Sequence, residues 1–229
     1  MRKMQNHVLK GKEVFVGLED SKRSWKLCIR SEGMVVRELS MPADYKNLES
    51  YFQRCFPDCR IKVMYEAGFS GFWLHDCLQA SGIECVVTPP HTVTQQKVSK
   101  VKTDKVDARR LALNLEKGDY KSCTIPDRER REDRQLSRTI SQLQREITAN
   151  KNRIRKFLDF HGLNAGFLSG RFTKLDYQRA RCLSLSHSLQ VSLDALFELV
   201  DKLEELKAKL LKELKEISQK DRYHRSVEI

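Results

Sequence analysis

Apolar residues recur every seven positions in the last part of the chain, and this repeat constrains the fold more than any other feature. One set of positions holds Leu189, Leu196, Leu203, Leu210 and Ile217, and a second set holds Leu193, Val200 and Leu214, with Lys207 as the exception. Side chains at this spacing fall on one stripe of an α-helix. The repeat therefore predicts a long helix over residues 183–219.

An earlier segment carries a looser version of the repeat. One set of positions holds Leu136, Leu143, Asn150 and Phe157, and the other holds Ile140, Ile147 and Ile154. We predict a second long helix over residues 132–160, separated from the first by a stretch that contains Gly162, Gly166 and Gly170. Residues 126–229 are therefore expected to form an all-α coiled-coil arm.

The two predicted helices can bury their apolar stripes in two ways. They can fold back on each other as an antiparallel hairpin, or they can pack against a second chain. We favour a homodimer or higher oligomer, because an arm that packs only on itself would need less length. Asn150 supports this choice, since a buried amide in a seam favours a partner amide and fixes register.

Residues 13–125 show a different pattern, in which strand and helix signals alternate. The predicted strands are Glu13–Glu19, Trp25–Arg30, Met34–Leu39, Arg60–Glu66 and Ile83–Thr88, and the predicted helices are residues 42–56, 72–81 and 104–116. Three leading strands followed by alternating helices and strands describe an α/β fold, with helices packed against a mixed sheet. This is the element order of RNase H-like folds. Trp25, Phe69, Phe72 and Trp73 are expected in the core of this domain rather than in base-stacking positions.

The charge balance of the chain indicates the kind of partner it binds. The formal net charge is +12 over 229 residues, and such a surplus favours a polyanion, because each Lys or Arg that neutralises a phosphate releases counterions. The sequence contains no run of 18 apolar residues, so we expect no membrane span. The seven cysteines contain no Cys-x-x-Cys pair, which favours reduced thiols over a zinc site.

Several carboxylates fall where predicted strands end and where a predicted helix begins. Glu19 ends the first strand and Asp20 follows it, Glu66 ends the fourth strand, and Asp104 and Asp107 open the third helix. If the first and fourth strands are neighbours, these side chains meet at one edge of the sheet. Carboxylate oxygens are hard ligands that suit Mg²⁺. Plainer roles also stay open, namely helix caps for the two aspartates, a solvated strand end for Glu66 and a turn at Glu19 and Asp20.

A basic segment surrounds the two aspartates of the third helix. Its members are Lys97, Lys100, Lys102, Lys105, Arg109 and Arg110. Such a loop beside an acidic site is typical of phosphate contacts, and we expect these six residues to bind nucleic acid. Salt bridges to the neighbouring carboxylates are the alternative.

Three segments of the chain resemble a known family. VGLEDSKRSWKL, YEAGFSGFWLHDCL and KTDKVDARRLA look like the N-terminal, RuvC-like domain of the DEDD-type insertion-sequence transposases of family one-hundred-and-ten, which are relatives of the Piv-like DNA invertases. The resemblance covers residues 13–125 closely and the helical region in general layout. It implies that the family's four catalytic carboxylates fall on Glu19, Glu66, Asp104 and Asp107. The family usually has Asp at the first position, so either Glu19 or Asp20 is the first ligand.

The resemblance also implies an activity, a cofactor and partners. These are DNA strand cleavage and exchange assisted by Mg²⁺ or Mn²⁺, DNA as substrate, an element-encoded bridge RNA as guide, and a bacterial cytoplasmic location at the nucleoid. Family members continue into a second catalytic domain with a serine nucleophile, and nothing in this sequence matches that domain. We therefore expect the chain to be catalytically incomplete by itself. The rival interpretations are a stand-alone RuvC-like junction resolvase and a non-catalytic module for nucleic-acid binding and dimerisation.

Overall fold

The computed structural model describes residues 9–90, 103–163, 173–220 and 223. The chain divides into two compact units, residues 1–125 and residues 126–229. No helix within the described ranges is long and apolar enough to cross a membrane.

Among its described residues, the first unit contains five strands and three helices in the predicted order. In chain order they are β1 (Glu13–Glu19), β2 (Ser24–Ser31), β3 (Met34–Pro42), α1 (Tyr45–Cys55), β4 (Arg60–Glu66), α2 (Trp73–Ala80), β5 (Glu84–Thr88) and α3 (Asp104–Lys117). The strands form one sheet with the order β3-β2-β1-β4-β5. The three leading strands pair antiparallel, whereas β1 pairs parallel with β4 and β4 parallel with β5. The predicted RNase H-like α/β fold is confirmed.

The two faces of the sheet are covered by different helices, because side chains alternate along each strand. On β1, Val14, Val16 and Leu18 are buried in the larger core, which also contains Leu48 of α1 and Leu74 of α2. The opposite face packs against α3, where Met64 of β4 meets the fully buried Leu111. Side chains alternate along a strand, so the face that α3 covers includes Gly17 and Glu19 of β1 and Met64 and Glu66 of β4.

Gly17 is the point of closest approach between α3 and the sheet. A Cβ at this position would overlap the carbonyl oxygen of Ala108 and the amide nitrogen of Ala112, and it would lie 2.9 Å from the Cβ of Leu111. A glycine inside a strand often marks such an approach of another backbone segment. The absence of a side chain at Gly17 thus lets the helix backbone lie directly on β1.

The C-terminal end of α3 is fastened to the hairpin between β2 and β3. Arg30 Nε donates to Glu116 Oε2 at 2.6 Å, and the backbone N–H of Gly33 donates to Glu116 Oε1 at 2.7 Å. The helix ends at Gly118, which has the left-handed φ of 72° typical of a C-cap. Its position along the sheet is therefore set by Gly17 in the middle and by Glu116 at the end.

The second unit is an antiparallel helical hairpin. Its helices are α4 (Arg128–Phe160), α5 (Lys174–Arg181) and α6 (His187–Ser218), and the two long ones confirm the helices that the heptads predict. Lys151 pairs with Glu204 at 2.6 Å, and Tyr223 donates to Asp133 at 2.9 Å, so α4 and α6 run in opposite directions.

The apolar seams of α4 and α6 meet each other inside one chain. Ile147 and Ile154 of α4 are buried with Leu193, Phe197 and Val200 of α6. Asn150 is only 2% exposed, and its amide is satisfied within α4, because it donates to the Glu146 carbonyl and accepts from Arg153. The burial of Asn150 therefore does not require a partner amide from a second chain.

We predict that Gly17→Ala lowers the free energy of unfolding of the first unit by about 1–3 kcal/mol, because the added methyl group forces α3 away from β1. Both tryptophans of the chain, Trp25 and Trp73, lie in this unit, so urea denaturation followed by tryptophan fluorescence reports on it alone. Gly68→Ala is the matched control, since its Cβ would meet only the Glu66 carbonyl at 3.8 Å. Equal losses in the two variants would contradict the close packing at Gly17.

Candidate functional site

Glu19 and Glu66 occupy equivalent positions at the ends of adjacent parallel strands. Leu18 of β1 pairs with Tyr65 of β4, and each glutamate is the next and last residue of its strand. Gly17 and Met64 face α3, so the glutamates two residues further along face the same side. The sheet thus directs both carboxylates towards α3.

The first turn of α3 supplies two more carboxylates. Asp104 and Asp107 lie in this turn, which begins after the N-cap Thr103. Since Gly17 contacts Ala108, the residues one helical turn before Ala108 lie alongside the end of β1. Negative side chains are favoured here because the N-terminus of a helix carries partial positive charge.

The electrostatics of Glu19 connect the predicted acidic residues. Burial raises the pKa of Glu19 to about 7, and repulsion from Asp107, Glu66, Asp20 and Asp104, in decreasing order, adds to the shift. Both burial and nearby negative charge disfavour the ionised form of this carboxyl group. The fold therefore brings the other four predicted carboxylates close enough to Glu19 to influence it.

Arg110 lies between two members of this cluster. Its Nη2 is 2.7 Å from Glu66 Oε1 and 3.2 Å from Asp107 Oδ1, and the three side chains are 17%, 21% and 8% exposed, respectively. The Nε of Arg110 is buried and has no hydrogen-bond partner among the described residues. Within the same ranges, no three His, Cys, Asp or Glu side chains lie close enough to hold one metal ion. A guanidinium thus bridges the two carboxylates.

Asp20 has a different role from that of its neighbour Glu19. The backbone N–H of Ser70 donates to Asp20 Oδ2 at 2.9 Å. This bond ties the end of β1 to the loop that follows β4.

The predicted basic residues fall into three groups. Lys97, Lys100 and Lys102 lie outside the described residues. Lys105 is exposed and lines a cleft of about 230 Å³ that also contains Lys26 and Glu38. Arg109 and Arg110 both form ion pairs, the first with Glu38 of β3 through two nitrogens and the second within the carboxylate cluster.

Two aromatic side chains beside the cluster are exposed. Phe69 is 63% exposed and Trp73 is 46% exposed, so the expectation that both lie in the core is wrong, although Trp25 is buried as expected. Lys22 Nζ lies 5.4 Å from the centre of the Phe69 ring. Phe69 precedes Ser70, which Asp20 holds, so this loop borders the carboxylates. The glycines on either side of Phe69, at positions 68 and 71, are the sequence signal for an exposed loop.

The sequence matches a known family over most of its length. The family model described as a transposase, of the IS110 DEDD type, matches residues 16–162. The chain belongs to this transposase family. The matched range includes the four strand-end and helix-start carboxylates, Glu19, Glu66, Asp104 and Asp107.

Individual relatives agree with the family assignment. The transposase-like protein y4rJ of Sinorhizobium fredii is 30% identical over 169 residues, which are 66% of this chain and 43% of the relative. The transposase of insertion sequence element IS1533 from Leptospira borgpetersenii is 25% identical over 152 residues, which are 64% of this chain and 44% of the relative. The chain therefore spans less than half the length of these relatives.

Solved structures with a similar fold include two of RuvC from Thermus thermophilus. The one in complex with a Holliday junction substrate has a TM-score of 0.36 and 11% sequence identity, and it covers 48% of this chain and 99% of that RuvC chain. The other has a TM-score of 0.35 and 12% identity over the same shares.

The raised pKa of Glu19 predicts a pH dependence of stability in the presence of a chelator. The folded chain holds this proton more tightly than the unfolded chain, whose Glu titrates near 4.5. The stability that Glu19 contributes is complete below about pH 4.5 and is lost as the pH rises through about 7. The side chain of the Glu19→Gln variant cannot titrate. The melting temperature of this variant minus that of the wild type should therefore increase as the pH rises from about 4.5 to about 7. Tryptophan fluorescence follows the unfolding of both proteins.

The control for this prediction is a glutamate of the same unit outside the cluster. Glu84→Gln removes an exposed carboxylate of β5 that pairs with Lys62, which lies four residues before Glu66 on β4. Its pH profile should stay parallel to that of the wild type. A Glu19→Gln profile that is also parallel to the wild type would show that the cluster does not perturb Glu19.

Proposed function

We propose that this chain is the nucleic-acid-binding N-terminal part of a transposase whose carboxylates hold Mg²⁺ or Mn²⁺ for DNA strand cleavage and exchange. Glu19, Glu66, Asp104 and Asp107 are the proposed ligands. The observation that carries the proposal is the electrostatic convergence of these side chains on Glu19. Their positions at two strand ends and one helix start follow from the fold.

The chemistry of the cluster fits a divalent cation. All its members are carboxylates, and hard oxygen ligands are those that Mg²⁺ and Mn²⁺ prefer. The raised pKa of Glu19 reflects negative charge that a cation would relieve. Arg110 compensates part of this negative charge. However, its buried Nε lacks a hydrogen-bond partner among the described residues, so the hydrogen-bonding capacity of this guanidinium is not fully used. An ion at this site would compete with Arg110 for Glu66 and Asp107.

Each part of the site has a proposed task in strand cleavage. A bound ion supplies Lewis-acid stabilisation of charge on the phosphate and an activated water. Asp20 fixes the loop through its bond to Ser70, which keeps Phe69 at the rim of the site. Exposed Phe69 and Trp73 offer surfaces on which unpaired bases can stack. Lys22, whose Nζ lies over the Phe69 ring, is placed to contact a phosphate beside that ring, and Lys105 offers a further contact from the cleft that it lines with Lys26.

The proposed polyanionic partners are DNA and an element-encoded bridge RNA. The net charge of +12 supports binding of either one. RNA guidance itself rests on the family resemblance. Because the chain spans less than half the length of its relatives, we propose that the complete exchange reaction also needs the parts of the transposase that these relatives contain.

A second candidate function is a non-catalytic nucleic-acid-binding module. The observation that favours it is the ion pair of Arg110 with Glu66 and Asp107, which gives the carboxylates a protein cation. In this alternative the cluster has a structural role, and a divalent ion adds nothing to stability. Metal binding therefore separates the two candidates, and cleavage of a four-way DNA junction by this chain would favour the resolvase interpretation.

We predict that Mn²⁺ raises the melting temperature of the first unit of the full chain. At ten times the dissociation constant, binding stabilises the folded state by about 1.4 kcal/mol, which corresponds to roughly 5 °C or more for a unit of this size. Asp107→Asn should reduce this shift to near zero, because it removes the most buried of the ligands. Glu84→Gln should retain the full shift. No shift for the wild type, or equal shifts for all three proteins, would favour the non-catalytic module.

We also propose that two or more copies of the chain associate through one stripe of α6. Leu199 and Leu206 are 44% and 42% exposed, although they lie beside Leu203 and Leu210 on the same side of the helix. Because the inner seam is filled by α4, a second copy is the proposed cover for this outer stripe.

Self-association predicts a mass change in sedimentation. The double variant Leu199→Ser and Leu206→Ser should sediment as a smaller species than the wild type at tens of micromolar, because each exposed leucine contributes apolar area to the interface. Leu211→Ser is the control, since Leu211 is exposed and lies about 120–140° around α6 from Leu199 and Leu206. A monomeric wild type would contradict the proposal and leave the metal site unaffected.

A further inference from the structure

One exposed face of α4 carries a continuous basic and polar stripe. Its seven positions are Arg134, Arg138, Ser141, Arg145, Thr148, Asn152 and Lys156, and all seven are exposed. They follow one another in steps of three or four residues, which places them along one side of a helix. We call these residues the basic stripe of α4.

The basic stripe lies opposite the apolar seam. Six of the seven members precede a seam residue by two positions, as Arg138 precedes Ile140 and Arg145 precedes Ile147, and Lys156 precedes the buried Leu158 by two. Two residues correspond to about 200° of rotation on a helix, so the stripe points away from α6 when the seam packs against it. The hairpin therefore holds this face towards solvent along about 33 Å, from Arg134 to Lys156, at 1.5 Å per residue.

The arginines of the basic stripe, Arg134, Arg138 and Arg145, have no acidic partner among the residues that the structure describes. Arg128 and Arg130, just before the stripe, do pair with the nearby acids Glu132 and Asp127. The stripe itself contains no Asp or Glu. It therefore presents unneutralised guanidinium groups at regular intervals.

The other long helix shows that this pattern is not a general property of the hairpin. The outward face of α6, two positions before its own seam, carries Asp194, Glu198, Asp201 and Glu205. Helix α4 has ten basic and five acidic residues, whereas α6 has five basic and seven acidic ones, so the positive surface belongs to α4 alone. A face that needed only solubility would not require this separation of charge.

We propose that the basic stripe of α4 binds the sugar–phosphate backbone of a double-stranded nucleic acid. Guanidinium and amide groups are donors that contact phosphate oxygens and sugars, whereas the hydroxyls of Ser141 and Thr148 donate to carbonyls of α4 itself. The stripe has no aromatic residue on which an unpaired base could stack, which favours a duplex over a single strand. Its length of about 33 Å corresponds to about ten base pairs at 3.4 Å each. The interaction is independent of metal binding at the carboxylates.

The test compares two triple variants of the full chain that lose the same charge. Arg134→Ala, Arg138→Ala and Arg145→Ala together remove three charges from the stripe. Lys209→Ala, Lys212→Ala and Lys215→Ala together remove three exposed charges from α6. Fluorescence anisotropy with duplexes of mixed sequence, about 20 base pairs long, measures binding in EDTA at several salt concentrations. One arm uses DNA and the other uses RNA.

The stripe variant should bind about tenfold or more weakly near 0.1 M salt. The slope of log affinity against log salt should become shallower by about 2–3, because each lost phosphate contact releases about 0.9 fewer counterions. The lysine variant should stay close to the wild type. A stripe variant with three Arg→Lys changes should recover most of the affinity, which shows that lost charge, and not lost helix, causes the effect.

The two arms identify the duplex and can overturn the proposal. If the stripe variant loses affinity for only one of the two duplexes, that duplex is the one the stripe binds. If it loses affinity for both, the stripe recognises the backbone chemistry that DNA and RNA share. Equal affinities of the two triple-alanine variants, with helical content confirmed by circular dichroism, would refute the proposal. The stripe variant should also keep the Mn²⁺-dependent rise in melting temperature. This result would show that the change in duplex binding does not arise from damage to the carboxylate site.

Discussion

The contact between α3 and β1 is the constraint on which the rest of the first unit depends. Because Gly17 has no side chain, the helix backbone at Ala108 and Ala112 lies directly on the strand. The Glu116 contacts with Arg30 and Gly33 fix the far end of the helix. With both points set, the first turn of α3 is placed beside the ends of β1 and β4. The carboxylate cluster is therefore a consequence of how closely this helix packs.

The same packing concentrates negative charge, which costs stability unless it is compensated. Burial and four neighbouring carboxylates raise the pKa of Glu19 to about 7, and Arg110 bridges Glu66 and Asp107. A fold selected only for stability would not need five acids around one point. The incomplete compensation of this charge is therefore the physical argument for the proposed divalent cation.

The helical hairpin separates three kinds of surface on two helices. The inner seam is apolar and is filled within the chain, as Ile154 and Leu193 show. The outer leucines of α6 and the basic stripe of α4 point in other directions and carry different chemistry. An α-helix can present such distinct stripes because residues three or four positions apart share a face. One hairpin can thus offer an apolar surface to a second copy and a positive surface to a polyanion.

Local periodicity determined much of this protein from the sequence alone. Alternation along β1 and β4, and heptads along α4 and α6, predicted the elements and their buried faces, and strand ends predicted where Glu19 and Glu66 lie. These features depend on residues close in sequence, whose spacing follows directly from strand and helix geometry. The positions of Asp104 and Asp107 at a helix start were also accessible, since the helix signal begins there.

Only the tertiary structure decided which groups meet. A heptad repeat predicts that one face of a helix is buried, but it does not identify the segment that covers this face. From the sequence we favoured a second chain as the cover, whereas in the structure α4 and α6 pack on each other. Arg109 and Arg110 were expected at phosphates, but they pair with Glu38 and Glu66, which are 71 and 44 residues away. The apolar character of Phe69 and Trp73 predicted burial, yet both are exposed, Phe69 in the loop that Asp20 holds and Trp73 at the start of α2. Partner choice depends on distances between segments remote in sequence, and these distances exist only once the chain has folded.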